Sequence, residues 1–190
     1  MNIFILDTNP EKAAAAQCDK HVTKMVLESG QMLSTAHRVL DGIVGFGPSK
    51  SGKTTVRRWT LVGGRSALYH AVHVRHPCTE WTMESEANYR WHFRHFSALA
   101  HEYTSRFGRR HKTWADLNML LREPPGNIPN IGLTPFRLAM GASPDSIDEA
   151  NPVESYRKYY QTKQSSFDMK WTSPSAMPVR IGCDSCPFTS

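Results

Sequence analysis

No apolar run in this chain exceeds about five residues, far short of the roughly 20 that a membrane-spanning helix needs. Residues 1–10 lack the basic start, long apolar stretch and small-residue cleavage site of a secretory signal, so a cytoplasmic location is expected. Cysteine is scarce, with only Cys18, Cys78, Cys183 and Cys186 present. Cys183-Asp-Ser-Cys186 is a lone C-x-x-C. A zinc site needs four ligands, and a redox pair needs a strand before it and a helix after it. Neither requirement is met, so reduced thiols without metal or cofactor are expected. Internal repeats and low-complexity linkers are missing too, and acid is outnumbered by base.

A chain of 190 residues is long enough for one domain with a real core. Lys and Arg total 23 against 17 Asp and Glu, a net charge of +6. That balance favours a polyanionic partner, with nucleic acid the leading class and no membrane.

The pattern reads as mainly α. Residues 3–6, Ile-Phe-Ile-Leu, form a short buried segment ended by Asp7 and Pro10. A helix runs from Pro10 to about Leu40, with a break near Cys18. Residues 41–66 hold six glycines and a proline, which marks a Gly/Lys-rich loop or insertion. A further helical stretch covers 66–74 until His76-Pro77 interrupts it. The strongest helix spans roughly 79–107, where Tyr89, Phe93, Phe96, Ala100, Tyr103 and Phe107 recur at spacings of three and four. Thr113-Trp-Ala-Asp116 caps a short helix to Leu121, which Pro124-Pro125-Gly126 stops. Asn151-Pro152-Val-Glu154 starts a helix that reaches about Phe167. The tail at about 168–190 is irregular, and the whole chain reads as one domain.

Gly47-Pro-Ser-Lys-Ser-Gly52-Lys53-Thr54 fits the phosphate-binding Walker A pattern. A working loop of that kind joins a buried strand to a helix. The preceding Gly42-Ile-Val-Gly-Phe46 is a poor buried strand, and Gly63-Gly64 cuts short any helix that follows. A nucleotide-binding enzyme is therefore the least favoured reading. The segment serves better as a basic loop whose Lys50, Lys53, Arg57 and Arg58 touch phosphates.

The helix around 18–36 divides by period. Val22, Met25, Val26, Ser29, Met32, Leu33 and Ala36 fall within about 120° on one face. His21, Lys24, Glu28, Gln31 and Thr35 share the opposite face. This second face is either solvated, with one Lys–Glu pair, or a site holding an acid/base pair, an amine and an amide. Further cationic candidates are Arg106, Arg109, Arg110, His111 and Lys112, beyond what a helix C-terminus needs. The run Tyr156-Arg157-Lys158-Tyr159-Tyr160 mixes cations with rings suited to phosphates and stacked bases. His76 stands at the mouth of the long helix.

Asp19-Lys20-His21 followed by Glu28 on a helix near the N-terminus resembles the T4-type pyrimidine dimer DNA glycosylases, also called endonuclease V. His76, the long helix ending at Phe107-Gly108, and Lys158-Tyr159-Tyr160 occur in that family's order. The sequence also resembles small phage proteins that begin Asn-Ile-Phe-(Ile/Val)-Leu-Asp and carry a Cys-Asp-Lys-His helix.

The resemblance implies a compact, single-domain helical fold of the endonuclease V type. It implies double-stranded DNA as partner, a flipped nucleotide, and cleavage of the N-glycosidic bond of a damaged or modified pyrimidine. The nucleophile would be the N-terminal amine, attacking the sugar C1′ to give an imine, with strand cleavage as a possible sequel. Glu28 would be the catalytic carboxylate. His21, Lys24, Met1 and Asn2 complete the catalytic candidates, and Lys20 and Gln31 join the DNA-binding set. An α-amine titrates near about 8, so part of it is neutral at pH 7. Two departures stand out. Asn2 is too large to favour removal of the initiator methionine, which leaves the amine on Met1. Leu27 and Gln31 stand where the family has phosphate-holding arginines. The alternative reading is a basic DNA-binding protein without chemistry.

Overall fold

In the computed structural model, which describes residues 1–49, 51–141 and 147–172, the chain is mainly α. The elements are α1 (Pro10–Ala15), α2 (Asp19–Asp41), β1 (Ile43–Pro48), β2 (Thr55–Thr60), α3 (Pro77–Glu84), α4 (Glu86–Phe107), α5 (Lys112–Leu121) and α6 (Pro152–Thr162). Short 3-10 turns occupy Gly63–Ala67 and Lys163–Ser165. None of these helices is long and apolar enough to cross a membrane.

Local signals account for most boundaries. The Asn9 side chain accepts from the Lys12 N–H at 2.9 Å and Pro10 opens α1, so the helix begins where its first donors are satisfied. Asn151 does the same for α6 through the Glu154 N–H. Gly108 closes α4 with φ 65°, a left-handed geometry that glycine adopts without strain.

Four expectations need correction. The single helix over 79–107 is two helices, because Ser85 turns to extended backbone and its hydroxyl accepts from the Asn88 N–H at 3.1 Å, capping α4. The cap of α5 is His111, whose Nδ1 accepts from the Thr113 N–H, and Thr113 is already inside the helix. Residues 66–74 hold only the end of a 3-10 turn. The loop at 41–66 contains an antiparallel hairpin, with Ile43 opposite Thr60 and Pro48 opposite Thr55.

The core gathers around α2, which packs against α3, α4 and α5, while α1 lies on α4. The expected apolar face is buried throughout, from Val22 to Ala36. Ile3, Phe4, Ile5 and Leu6 are buried as expected, and Trp81, Tyr89, Phe96, Tyr156 and Tyr160 fill the interior. Each large side chain of this kind contributes about 1.5–3 kcal/mol by leaving water.

Two buried arginines tie the chain together. The Arg106 guanidinium donates to the carbonyls of Gln17 and Ala15 and pairs with Asp19 and Glu102, fixing the α1–α2 junction on α4. Arg38 donates to the carbonyls of Trp59, Ser66, Leu68 and Tyr69, which clamps the end of the hairpin and the segment after it to the end of α2. The start of the tail is docked as well: the Asp19 N–H donates to the Lys170 carbonyl and the Trp171 indole to Ala16. Cys183 and Cys186 lie outside the described residues.

Candidate active site

Glu28 is the centre of the arrangement. It sits in the middle of α2 with its side chain only 11% exposed. Its Oε2 accepts from the Asn2 N–H at 2.9 Å and lies 3.8 Å from the Met1 α-amino nitrogen. Its Oε1 stands 3.4 Å from Nζ of Lys24, one turn earlier and largely exposed. A buried carboxylate is costly unless paired and hydrogen-bonded, and here the chain terminus supplies both partners.

The N-terminus is held by its own side chains. The Asn2 Oδ1 accepts from the N–H groups of Ile3 and Phe4, and its Nδ2 donates to the Ala139 carbonyl at 2.9 Å. That small asparagine turn redirects the chain, and Phe4 takes a positive φ of 55°. The Cys78 thiol lies 3.9 Å from Oδ1 of Asn2 and 3.8 Å from the Tyr156 hydroxyl, and burial pushes it up to about 11. This thiol is therefore inert packing under the N-terminus.

His76 closes the other side. Its Nδ1 caps α3 by accepting from the Cys78 N–H at 3.3 Å, and its ring also hydrogen-bonds the Met1 backbone. Burial first, then the neighbouring α-ammonium and His73, lower its pKa, against the opposing pull of Glu28. The imidazole is thus held neutral, with Nδ1 as acceptor and the proton on Nε2.

The second face of α2 is mostly not solvated. His21, Glu28 and Thr35 are buried, Gln31 is half-buried, and Lys20 and Lys24 reach water. His21 does not join the Glu28 group through any direct contact. Its Nδ1 is 2.7 Å from the Tyr160 hydroxyl, which itself accepts from the Cys18 N–H. Phe4 and Phe167 rings flank it. Burial, followed by Lys24, Lys163 and Lys20, lowers its pKa to about 4.

The proposed DNA contacts separate into two groups. Lys53, Arg57, Arg58, Arg109, Arg110, Lys112 and Lys158 are exposed, as is Lys20, whose ammonium lies over the Phe167 ring at 4.3 Å. Lys112 pairs with Asp116, and Arg157 with Asp7 while its Nε donates to the Leu6 carbonyl. The cluster at 109–112 borders α2, because the His111 ring hydrogen-bonds the Thr23 backbone. Arg106, Tyr159 and Tyr160 form the other group. Arg106 is fully committed inside, and both tyrosines are buried, so neither ring is a surface on which a base can stack. Exposed, unlike core positions, is what phosphate contact requires.

The Walker-like segment runs from the end of β1 to Thr54, the residue before β2. A strand and not a helix follows it directly, so the strand-to-helix geometry of a phosphate-binding loop is absent there. Sequence reading missed the cradle made by Cys78, Tyr156 and Ala139, and no local signal announces it. Among the described residues no cluster of His, Cys, Asp and Glu is arranged to hold a metal ion. No family model, no curated protein and no solved structure matches the chain.

Proposed function

We propose that this protein is a DNA glycosylase acting on a damaged or modified pyrimidine, built on a fold of the endonuclease V type. The observation that carries the reading is the Met1 α-amine 3.8 Å from the Glu28 carboxylate, both largely buried. An amine beside a carboxylate, with a neutral imidazole against the same backbone, is a nucleophile with a proton acceptor and a positioning group.

In the proposed reaction the neutral amine forms a bond to C1′ while the bond from C1′ to the base breaks. The electron pair leaves with the base, which gains a proton from solvent or a nearby acid. Glu28 accepts the proton shed by the amine. The nitrogen lone pair then expels O4′ from C1′, O4′ takes back the proton held by Glu28, and the protonated imine that results is hydrolysed by water. The exposed cations Lys20 and Lys24 on α2, with Arg109 and Arg110 just after α4, supply the phosphate contacts.

Borohydride trapping tests this on duplexes that carry a thymine dimer, an abasic site, a modified pyrimidine or no lesion. A covalent adduct on a lesion strand is expected, mapped by mass spectrometry to Met1. Binding without an adduct on any strand would leave the second reading, a DNA-binding protein in which Glu28 merely anchors the terminus. That reading draws on the same Asn2 hydrogen bond and the Lys24 pair.

A further inference from the structure

The hairpin of β1 and β2 has no part in the cradle around Glu28, yet it carries an unusual surface. Its two faces can be assigned from the register. Val44, Phe46, Arg57 and Trp59 share one face, and Ile43, Val56, Arg58 and Thr60 share the other with Gly45 and Gly47. Both faces are open to solvent: Ile43, Val44, Phe46 and Val56 are all exposed, Phe46 by 72%. The ribbon meets the body near its base, where Arg38 holds the Trp59 carbonyl.

An apolar ribbon with two free edges invites aggregation unless charge or a partner covers it. Here the charge has one sign. Residues 43–60 contain Lys50, Lys53, Arg57 and Arg58 and no Asp or Glu. No carboxylate pairs with Lys53, Arg57 or Arg58 among the described residues. Arg57 lies over the Trp59 ring at 5.9 Å, and Arg58 folds across Gly47 to the Pro48 carbonyl.

We propose that this ribbon is a docking arm that lies in the major groove of duplex DNA. A two-stranded ribbon fits a groove about 12 Å wide. With the face of Val44 and Phe46 turned into the groove, these exposed side chains meet base edges and thymine methyl groups with Arg57 beside them, while Arg58 on the opposite face and Lys53 at the turn reach for the phosphates of the groove walls. The glycines at 45 and 47 leave room for Arg58 to swing along its face. The inference rests on the proposed function for its partner class, DNA, but assigns the ribbon binding and not chemistry.

The test compares the wild type, a Lys53→Ala/Arg57→Ala/Arg58→Ala variant and Phe46→Ala. Affinity for a mixed-sequence duplex is measured across a salt series by fluorescence anisotropy. The triple variant is expected to bind roughly tenfold to a hundredfold more weakly, with a salt slope smaller by about two to three. Phe46→Ala is expected to lose affinity with the slope unchanged. Methylation of guanine N7 should interfere with wild-type binding and not with residual binding by the triple variant. Circular dichroism should be unaltered, since the ribbon lies outside the core.

Unchanged affinity and slope in the triple variant would overturn the proposal. Interference at adenine N3 alone would also overturn it, by moving the ribbon to the minor groove. A dimer that Phe46→Ala converts to monomer, with DNA affinity kept, would reassign the ribbon to self-association. Borohydride trapping on a short single-stranded abasic oligonucleotide, which the ribbon does not reach, separates the two readings. Trapping retained in the triple variant with weakened duplex binding supports the arm, and absent trapping with ribbon-dependent duplex binding removes only the glycosylase.

Discussion

The backbone N–H of Asn2 donates to Oε2 of Glu28 at 2.9 Å, which fastens the first peptide of the chain to the middle of α2. The same oxygen faces the α-amine of Met1. One carboxylate therefore sets both the position of the terminus and the electrostatics around the amine.

Glu28→Gln keeps an acceptor for Asn2 and removes the charge. Base release is expected to fall by about 10²- to 10⁴-fold, the usual range for a lost acid/base group. Duplex affinity should stay nearly unchanged. Single-turnover assays beside anisotropy titrations check this, and retained release would make Glu28 an anchor alone.

Blocking the amine is the complementary test. One residue added before Met1, or acetylation of the terminus, should abolish the borohydride adduct while DNA binding persists. Intact-mass measurement of the unmodified chain should find Met1 retained. An adduct that moves to Lys24 would instead make that side chain the nucleophile, since its Nζ lies 3.4 Å from the same carboxylate.

Arg106 and Arg110 should behave in opposite ways. Arg106→Gln leaves Asp19 and Glu102 without their buried partner, at a cost of about 3–5 kcal/mol read from urea unfolding. Arg110→Ala should leave the unfolding midpoint alone and lower the salt slope of duplex binding by about one.

Stability should fall as the solution is acidified from pH 6.5 towards 4. His21 and His37 both have pKa values lowered to about 4, mainly by burial. Between 4 and 6.5 their unfolded imidazoles bind protons that the folded ones refuse, so unfolding gains as pH drops. His95, lowered to about 3, extends the loss further. Urea midpoints at pH 7, 5.5 and 4.5 measure the trend, and His37→Gln should flatten it.

The helices were largely legible in the chain. The apolar stripe of α2, the Asn9-Pro10 and Asn151-Pro152 starts and the Gly108 stop are local features, and each rests on contacts within a few residues. The hairpin was not legible. Its first strand mixes glycine with apolar residues, and a glycine-rich stretch reads as loop until the partner strand, a dozen residues away, supplies the hydrogen bonds. The break at Ser85 was hidden because good helix formers stand on both sides. It is resolved by capping together with packing of Trp81 edge-on against Trp91 and the Thr82–His92 hydrogen bond.

What the sequence determined by itself is helix periodicity, capping and net positive charge, because those depend on spacing and composition. It could place Glu28 on a helix and name the terminal amine as its companion through a resemblance. Only the tertiary structure decided that Met1, Asn2, Glu28 and His76 meet, that Arg106 and Tyr160 are spent inside, and that the ribbon cations stay in solvent. Those outcomes depend on contacts between residues far apart in the chain, and such contacts exist only once the core around α2 has closed.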